Sequence, residues 1–152
     1  MSTTVQTRSL SDTRQLVVFT LGAEEYALPI VKVQEVIRYT EPRSVDASLC
    51  WVRGVISLRG KIIPICDLAA RLGTQREHDA ESAKIVIVDA DTGTAGLIVD
   101  EVNEVLTIDS EQLDPVPGTG SDFIESVAKI DDRLVILLDP DQMLAGVTGE
   151  PE

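Results

Sequence analysis

The chain has 152 residues, of which 43% are apolar, and its 26 acidic and 13 basic side chains give a formal charge of −13. This apolar content excludes an acidic disordered chain, because disorder requires low hydrophobicity together with high charge. The negative charge argues against a nucleic-acid partner, since such binding depends on Lys and Arg neutralising phosphates.

The charge is divided unequally along the chain. Residues 1–76 carry 10 basic and 7 acidic side chains, which sum to +3, whereas residues 77–152 carry 3 basic and 19 acidic side chains, which sum to −16. Such asymmetry predicts two surfaces that face different partners.

The sequence predicts a cytoplasmic protein without direct membrane insertion. No apolar run approaches the roughly 20 residues needed to span a bilayer, and residues 1–14 lack the apolar core of a signal peptide. Two cysteines, Cys50 and Cys66, fit a reducing compartment better than a disulfide framework. We expect flexible ends at residues 1–14 and, as an acidic tail, at residues 146–152.

The first predicted elements are a hairpin and a helix. Alternating apolar residues at 15–21, followed by residues 24–28, predict a β-hairpin. After Pro29, the residues Ile30, Val33, Val36 and Ile37 recur at helical spacing, which predicts a short helix ending at Arg38.

Two strands and a second short helix are predicted next. Apolar residues at 55–58 and 62–65 flank Arg59-Gly60, where Gly60 marks a tight turn. Asp67 is placed to cap a helix over residues 68–72.

The second half predicts two more hairpins. Residues 84–88 and 95–99 form one, residues 102–108 continue as a strand, and residues 126–130 and 134–138 form the other. Prolines and glycines predict a loop over residues 109–122, and Pro140 begins a last helical turn. Many short strands with brief helices favour an all-β fold of two small barrels.

The sequence contains few residues that could act in catalysis. His78 is the only histidine and lies in a polar stretch, and no orienting motif surrounds Cys50 or Cys66. The sequence therefore predicts no catalytic, cofactor-binding or metal-binding residue. A small thiol- or metal-dependent enzyme that uses Cys66 and His78 is the alternative from another functional class.

Several strings along the chain resemble one known family. The string Val52-Arg-Gly-Val-Ile-Ser-Leu-Arg-Gly-Lys-Ile-Ile-Pro-Ile-Cys-Asp-Leu68 resembles the signature of the chemotaxis coupling protein family CheW, except that Ser57 stands where the family usually has Asn. The resemblance continues upstream at residues 19–37 and downstream at 96–106 and 133–139. It covers roughly residues 15–144 in chain order.

The resemblance implies a cytoplasmic adaptor without catalytic activity or cofactor. It would link the cytoplasmic tips of transmembrane chemoreceptors to the regulatory domain of the histidine kinase CheA, and partners would recruit it to membrane-associated receptor arrays. The implied fold is two small SH3-like five-stranded β-barrels packed around a shared apolar core, with short helices, over residues 15–145.

The resemblance also implies a receptor-binding site. Glu35 and Arg59 correspond to the paired charges beside the family's receptor-binding groove, with Val33, Val36, Gly54 and Gly60 around them. Arg59 can dock bidentately with a carboxylate such as Glu35. The kinase contact is expected at exposed aliphatic residues near a strand end, which the sequence does not distinguish from core residues.

An adaptor of the same fold in a non-chemotactic receptor–kinase pathway, such as pilus motility, is the nearer alternative function.

Overall fold

Strands dominate the described part of the chain. The computed structural model describes residues 13–44, 52–72, 81–91, 93–115 and 123–144. Within these ranges the strands are β1 (Thr13–Leu21), β2 (Glu24–Pro29), β3 (Val33–Arg38), β4 (Val52–Leu58), β5 (Lys61–Asp67), β6 (Lys84–Ala90), β7 (Gly93–Val99), β8 (Glu101–Asp109), β9 (Leu113–Asp114), β10 (Ile124–Ile130) and β11 (Arg133–Leu138). The helical elements are α1 (Leu68–Arg71), α2 (Pro140–Met143) and two 3₁₀ turns at Ile30–Lys32 and Ser110–Gln112.

The strands form two sheets, as the sequence predicted. Sheet A has the order β8-β1-β2-β11-β10-β9, and sheet B has the order β3-β6-β7-β5-β4. Each sheet contains one parallel pair, β2 with β11 and β5 with β7, and its other pairs are antiparallel. The sixth strand of sheet A, β9, has only two residues.

Each sheet curls around a core of its own. The core of sheet A takes side chains from its edge strands β8 and β9 as well as its centre, and the core of sheet B does the same with β3 and β4. The buried residues are Leu16, Val18, Ala27, Ile108, Ala128, Val135 and Leu137 in sheet A, and Ile56, Ile63, Ile65, Ile85, Ile87 and Ile98 in sheet B. Because both edge strands of each sheet contribute to one core, each sheet closes into the barrel-like unit that the sequence predicted.

A third apolar layer contains residues of both sheets. Phe19 and Leu28 enter it from sheet A, and Val86 and Leu97 enter it from sheet B. Strands β1 and β6 therefore bury both of their faces, one towards the core of their own sheet and the other towards this layer. Their near-continuous apolar sequence is typical of strands that are covered on both sides.

The three predicted hairpins, the Asp67 cap and the helical turn that begins at Pro140 are confirmed. The Asp67 carboxylate accepts a hydrogen bond from the Ala70 amide, and Asp139 accepts from two amides at the start of α2. The predicted loop over residues 109–122 is interrupted by the second 3₁₀ turn and by β9. Its remaining residues 116–122 lie outside the described ranges.

The two halves of the fold repeat one another. Strands β1 to β5 and helix α1 correspond in order to β6, β7, β8, β10 and β11 and helix α2. The string Val33-Gln-Glu-Val-Ile37 in β3 returns as Val102-Asn-Glu-Val-Leu106 in β8. The third strand of each half, β3 or β8, has one residue that is left out of its ladder. This residue is Gln34 in β3 and Asn103 in β8.

The repeat extends to the surface. Val36 and Val105 occupy equivalent positions and are 39% and 52% exposed, while Ile62 and Leu134, each next to a hairpin turn, are 68% and 60% exposed. These are four of the five large apolar residues that the described surface exposes. Both halves thus expose apolar side chains at matching places.

The halves exchange their third strands. Strand β3 belongs by sequence to the first half, yet it pairs with β6 in sheet B, and β8 of the second half pairs with β1 in sheet A. The chain passes from sheet A to sheet B through the first 3₁₀ turn, Ile30–Lys32. We call this turn the first crossover. The connection from β7 to β8 at Asp100 is the second crossover.

Gly54 in β4 permits a close approach of two backbones. Arg43 and Val55 exchange two backbone hydrogen bonds of 2.8 and 2.9 Å beside it. A Cβ on Gly54 would lie 2.1 Å from the Arg43 carbonyl oxygen, and the residue has φ +153°. A side chain is therefore excluded here by backbone atoms that have no room to move.

The Gly54→Ala variant should lose at least about 3 kcal/mol of unfolding free energy, because the new methyl group meets backbone rather than a flexible side chain. Gly60→Ala is the matched control, since a Cβ there meets nothing within 4 Å and only its φ of +82° is unfavourable. That variant should lose about 1 kcal/mol. Urea unfolding followed by circular dichroism measures both losses, and equal losses would contradict this account of Gly54.

Candidate functional site

The segment after Pro29 is a strand, and the predicted helix over residues 30–38 is wrong. Only Ile30–Lys32 make a helical turn, and Val33–Arg38 form β3 with alternating half-buried and exposed residues. Val33, Val36 and Ile37 are β-branched, which disfavours a helix and favours a strand, and the ladder with β6 satisfies their backbone groups. Glu35 is therefore a strand carboxylate rather than a helix carboxylate.

The β4–β5 turn places Arg59 in an uncommon backbone conformation. Arg59 has φ +52° and Gly60 has φ +82°, so both central residues of this two-residue turn are left-handed. This geometry matches the right-handed twist of the flanking strands, and glycine adopts it without a steric cost. The turn directs the side chain of Arg59 from the hairpin tip towards β3.

Arg59 and Glu35 form a bidentate ion pair. The Arg59 Nη2 atom donates to Glu35 Oε1 at 2.7 Å, and Arg59 Nη1 donates to Glu35 Oε2. The hydrogen bond from Arg59 holds the pKa of the Glu35 carboxyl below its usual value, and the same bond raises the pKa of Arg59. The pair joins β3 to the β4–β5 hairpin, and these contain the two edge strands of sheet B.

The other predicted site residues occupy different depths. Val36 is exposed beside Glu35, and Gly60 is exposed at the hairpin tip. Val33 is half-buried against the apolar layer shared by the two sheets, and Gly54 is buried. The structure therefore brings Glu35, Val36, Arg59 and Gly60 to the surface, with Val33 and Gly54 beneath it.

Two open grooves are lined by chain neighbours of these residues rather than by the predicted site residues themselves. One, of about 440 Å³, is lined by Thr13, Arg14, Gln15, Thr107 and the chain from Pro29 to Val31. The other, of about 460 Å³, follows the gap between β3 and β4 and is lined by Ile37, Thr40, Glu41, Arg43, Ile62 and the stretch of β4 from Val55 to Leu58. Val31, which is 83% exposed, lines the first groove, and Ile62 lines the second.

Sequence reasoning missed Val31 and Ile62. Both lie in apolar runs that look like core, and nothing local to either residue distinguishes it from its buried neighbours. The available signal was the repeat, since Ile62 corresponds to Leu134 two residues after the equivalent turn.

The thiol of Cys66 is poorly suited to nucleophilic catalysis. Cys66 is fully buried in the layer between the sheets, and burial, together with the neighbouring charge of Asp67, raises the pKa of its thiol to about 12. Asp67 is also buried, and it accepts a 3.0 Å hydrogen bond from Arg53 Nε. His78 lies outside the described residues. A thiol with so high a pKa supplies almost no thiolate at neutral pH.

Neither a metal cluster nor a membrane span is found in the described part of the chain. No group of three or more His, Cys, Asp or Glu side chains among these residues is arranged to hold a metal ion. No helix within the described ranges is long and apolar enough to cross a membrane.

The family is decided by comparison with known proteins. Residues 15–147 match the family model of the CheW-like domain. The chain belongs to the CheW family. A probable chemotaxis protein CheW from Rhizobium etli is 31% identical over 99% of both chains.

A solved structure and a differently named relative agree with this assignment. The crystal structure of the scaffolding protein TtCheW from Thermoanaerobacter tengcongensis superposes with a TM-score of 0.81 and 34% identity, covering 91% of this chain and 97% of that one. Protein PilI from Pseudomonas aeruginosa is 35% identical over 72% of this chain and 64% of its own. Proteins of the CheW family are adaptors of chemotaxis signalling, and this protein is a chemotaxis adaptor of that kind.

Cys66 should resist modification in the folded protein. A Cys50→Ser variant isolates this thiol, which should react with 5,5′-dithiobis(2-nitrobenzoic acid) at pH 8 far more slowly than it does in urea, because it is buried and remains protonated. The release of the coloured thiolate measures both rates. Equal rates in the folded and unfolded protein would restore Cys66 as a candidate nucleophile.

Proposed function

We propose that this protein couples the cytoplasmic tips of chemoreceptors to the regulatory domain of the kinase CheA, within receptor arrays on the cytoplasmic side of the membrane. The observation that carries the proposal is the bidentate Arg59–Glu35 pair, which joins β3, the strand that exposes Val36, to the β4–β5 hairpin. Membership of the CheW family supports both partners.

The receptor site is the surface formed by Val31, Glu35, Val36, Arg59 and Gly60, which we call the receptor face. Its exposed valines, of which Val31 also lines the 440 Å³ groove, suit the apolar side of a helical hairpin, as in other helix-in-groove contacts. Gly60 has open space where a side chain would stand, so a partner can approach the turn closely.

Val33 and Gly54 support this face from below. Val33 anchors the start of β3 in the apolar layer, and Gly54 lets Arg43 lie against β4. The Arg59–Glu35 pair then connects β3 to the β4–β5 hairpin. The binding surface is thereby ordered before the partner arrives, which lowers the entropic cost of association.

The kinase contact fits the hairpin tips of the two sheets. Ile62 and Leu134 are large, exposed aliphatic residues at equivalent strand starts, which is the type of residue that the sequence led us to expect at this contact. We assign Ile62, together with the 460 Å³ groove that it lines, to CheA as the first choice, because the groove supplies an apolar surface around it. Leu134 is the second.

An adaptor role in a non-chemotactic receptor–kinase pathway is the second candidate function. The 35% identity to Protein PilI favours it, because that relative carries a name other than CheW. The proteins that co-purify with the chain at native expression discriminate between the two: methyl-accepting receptors together with CheA support the first, and a different receptor and kinase support the second.

Removing the ion pair should weaken receptor binding. Arg59→Gln and Glu35→Gln should each lower the affinity for a chemoreceptor tip fragment several-fold, because the side chain left behind no longer fixes the hairpin tip against β3. Isothermal titration calorimetry measures the affinities, and circular dichroism should report an unchanged fold, since exposed ion pairs contribute little to stability.

Lys129→Gln is the matched control, because it removes an exposed ion pair with Asp114 at 2.6 Å in sheet A. This variant should bind the receptor fragment as the unmodified protein does. If the Arg59 and Glu35 variants also bind normally, the receptor face is wrongly placed.

The two partners should respond to different apolar substitutions. Ile62→Asp should abolish the co-elution with the CheA regulatory domain in gel filtration, while leaving receptor binding intact, because a charge in the apolar groove opposes docking. Val31→Asp should do the reverse. Loss of both partners in either variant would mean that the two surfaces are not separate.

A further inference from the structure

Lys32 connects the first crossover to the second half of the chain through two ion pairs. Lys32 ends the 3₁₀ turn and stands immediately before Val33, the first residue of β3. Its Nζ atom lies 3.1 Å from Asp141 Oδ2 and 3.3 Å from Asp91 Oδ1. The Asp91 amide in turn donates a 2.7 Å hydrogen bond to Asp141 Oδ1. We call these three residues the Lys32 clasp.

The clasp connects three separate parts of the chain. Lys32 lies on the first crossover, Asp91 lies next to the β6–β7 turn, and Asp141 lies on α2, so both partners of Lys32 belong to the second half. The second crossover is held in a similar way, because the Asp100 carboxylate accepts a 2.8 Å hydrogen bond from the Gly22 amide in the β1–β2 turn. Each crossover thus contacts a hairpin turn of the opposite half.

The first crossover is fixed at its two ends by strand pairing, because β2 pairs with β1 before it and β3 pairs with β6 after it. The turn Ile30–Lys32 has no buried residue, and no side chain caps its start. Val31, in the middle of this turn, is the most exposed of the large apolar residues of the described surface. Between these paired ends, the Lys32 clasp is a side-chain tether on the exposed turn that carries Val31.

The charges of the clasp persist at neutral pH. The hydrogen bond that Lys32 donates to Asp141 is the main reason why the pKa of Lys32 is raised, and the hydrogen bonds that Asp141 accepts from the Asp91 amide and from Lys32 hold the pKa of Asp141 below its usual value. Lys32 and Asp141 are both half-buried, so salt screens this pair less than it screens a fully exposed one.

We propose that Lys32 is a positioning residue of the receptor face: its clasp on Asp141 and Asp91 sets the placement of Val31 relative to Glu35 and Val36, and so sets the affinity for the receptor. This inference rests on the proposed receptor face. It adds a residue that does not itself contact the receptor, and a pair of carboxylates in the second half that act through it.

A double-mutant cycle tests the proposal. The variants are Lys32→Met, Asp141→Asn and the double variant, and isothermal titration calorimetry measures their affinity for a chemoreceptor tip fragment. Lys32→Met keeps the aliphatic stem and removes the charge. Each single variant should weaken binding about threefold to tenfold, and the double variant should bind no more weakly than the weaker single variant, because both substitutions break one interaction.

Lys32→Arg should retain most of the affinity, because the guanidinium can still reach the two carboxylates. Lys129→Met, which removes an ion pair elsewhere, should leave binding unchanged. Urea midpoints of all variants separate positioning from unfolding: the loss of affinity should persist at temperatures where every variant is fully folded.

Two results would overturn the inference. Weakened binding in Lys32→Met with normal binding in Asp141→Asn would show that Lys32 contacts the receptor directly. Normal binding in both variants would show that the clasp has no part in recognition. The proposed receptor face fails separately, since its failure appears as unchanged affinity in Arg59→Gln, whatever the clasp variants do.

Discussion

The apolar layer shared by the two sheets is the constraint on which the rest of the structure depends. It obliges β1 and β6 to bury both faces, because one face covers the core of the strand's own sheet and the other enters the layer. Polar residues are therefore excluded from the middle of these strands, at residues 16–19 and 85–88, and are placed at strand ends, in turns, in crossovers and in the outer strands. The receptor face lies in such a place, on an edge strand and on the crossover that leads to it.

Exchange of the third strands gives this edge its particular chemistry. Because β3 comes from the first half and pairs in sheet B, its outer positions adjoin both the crossover and the β4–β5 hairpin. A bidentate arginine links the strand to the hairpin at one side, and a lysine with two carboxylates links the crossover to the second half at the other. The face is thus assembled from segments that are far apart in the sequence, and charged contacts at its surface add to the burial of Val33 beneath it.

The sequence predicted most of the fold, and its failures have local causes. The hairpins and the Asp67 cap were found because alternation, turn residues and an Asp before a helix act within a few residues. The helix predicted over residues 30–38 failed because Val33 and Ile37, four residues apart, satisfy both the helical and the strand period, and only the ladder with β6, which is distant in sequence, decides for the strand. The pairing of Arg59 with Glu35 came from family resemblance, and its receptor-binding role stays a prediction. The clasp of Lys32 could not be predicted, because its partners lie 59 and 109 residues further along the chain.

The repeated halves carry one further consequence. Neither half has a complete sheet without the other, since each lends its third strand to its neighbour. Two identical chains that lent each other one strand would form a symmetric dimer with the same arrangement of sheets. If two such chains were joined end to end, their surfaces could diverge. In the present chain, the glutamate of one copy of the string Val-x-Glu-Val pairs with Arg59, and the glutamate of the other copy pairs with Arg133. A symmetric ancestor offers two equal faces to its partners, whereas the fused chain, with +3 in one half and −16 in the other, can present a different face to each.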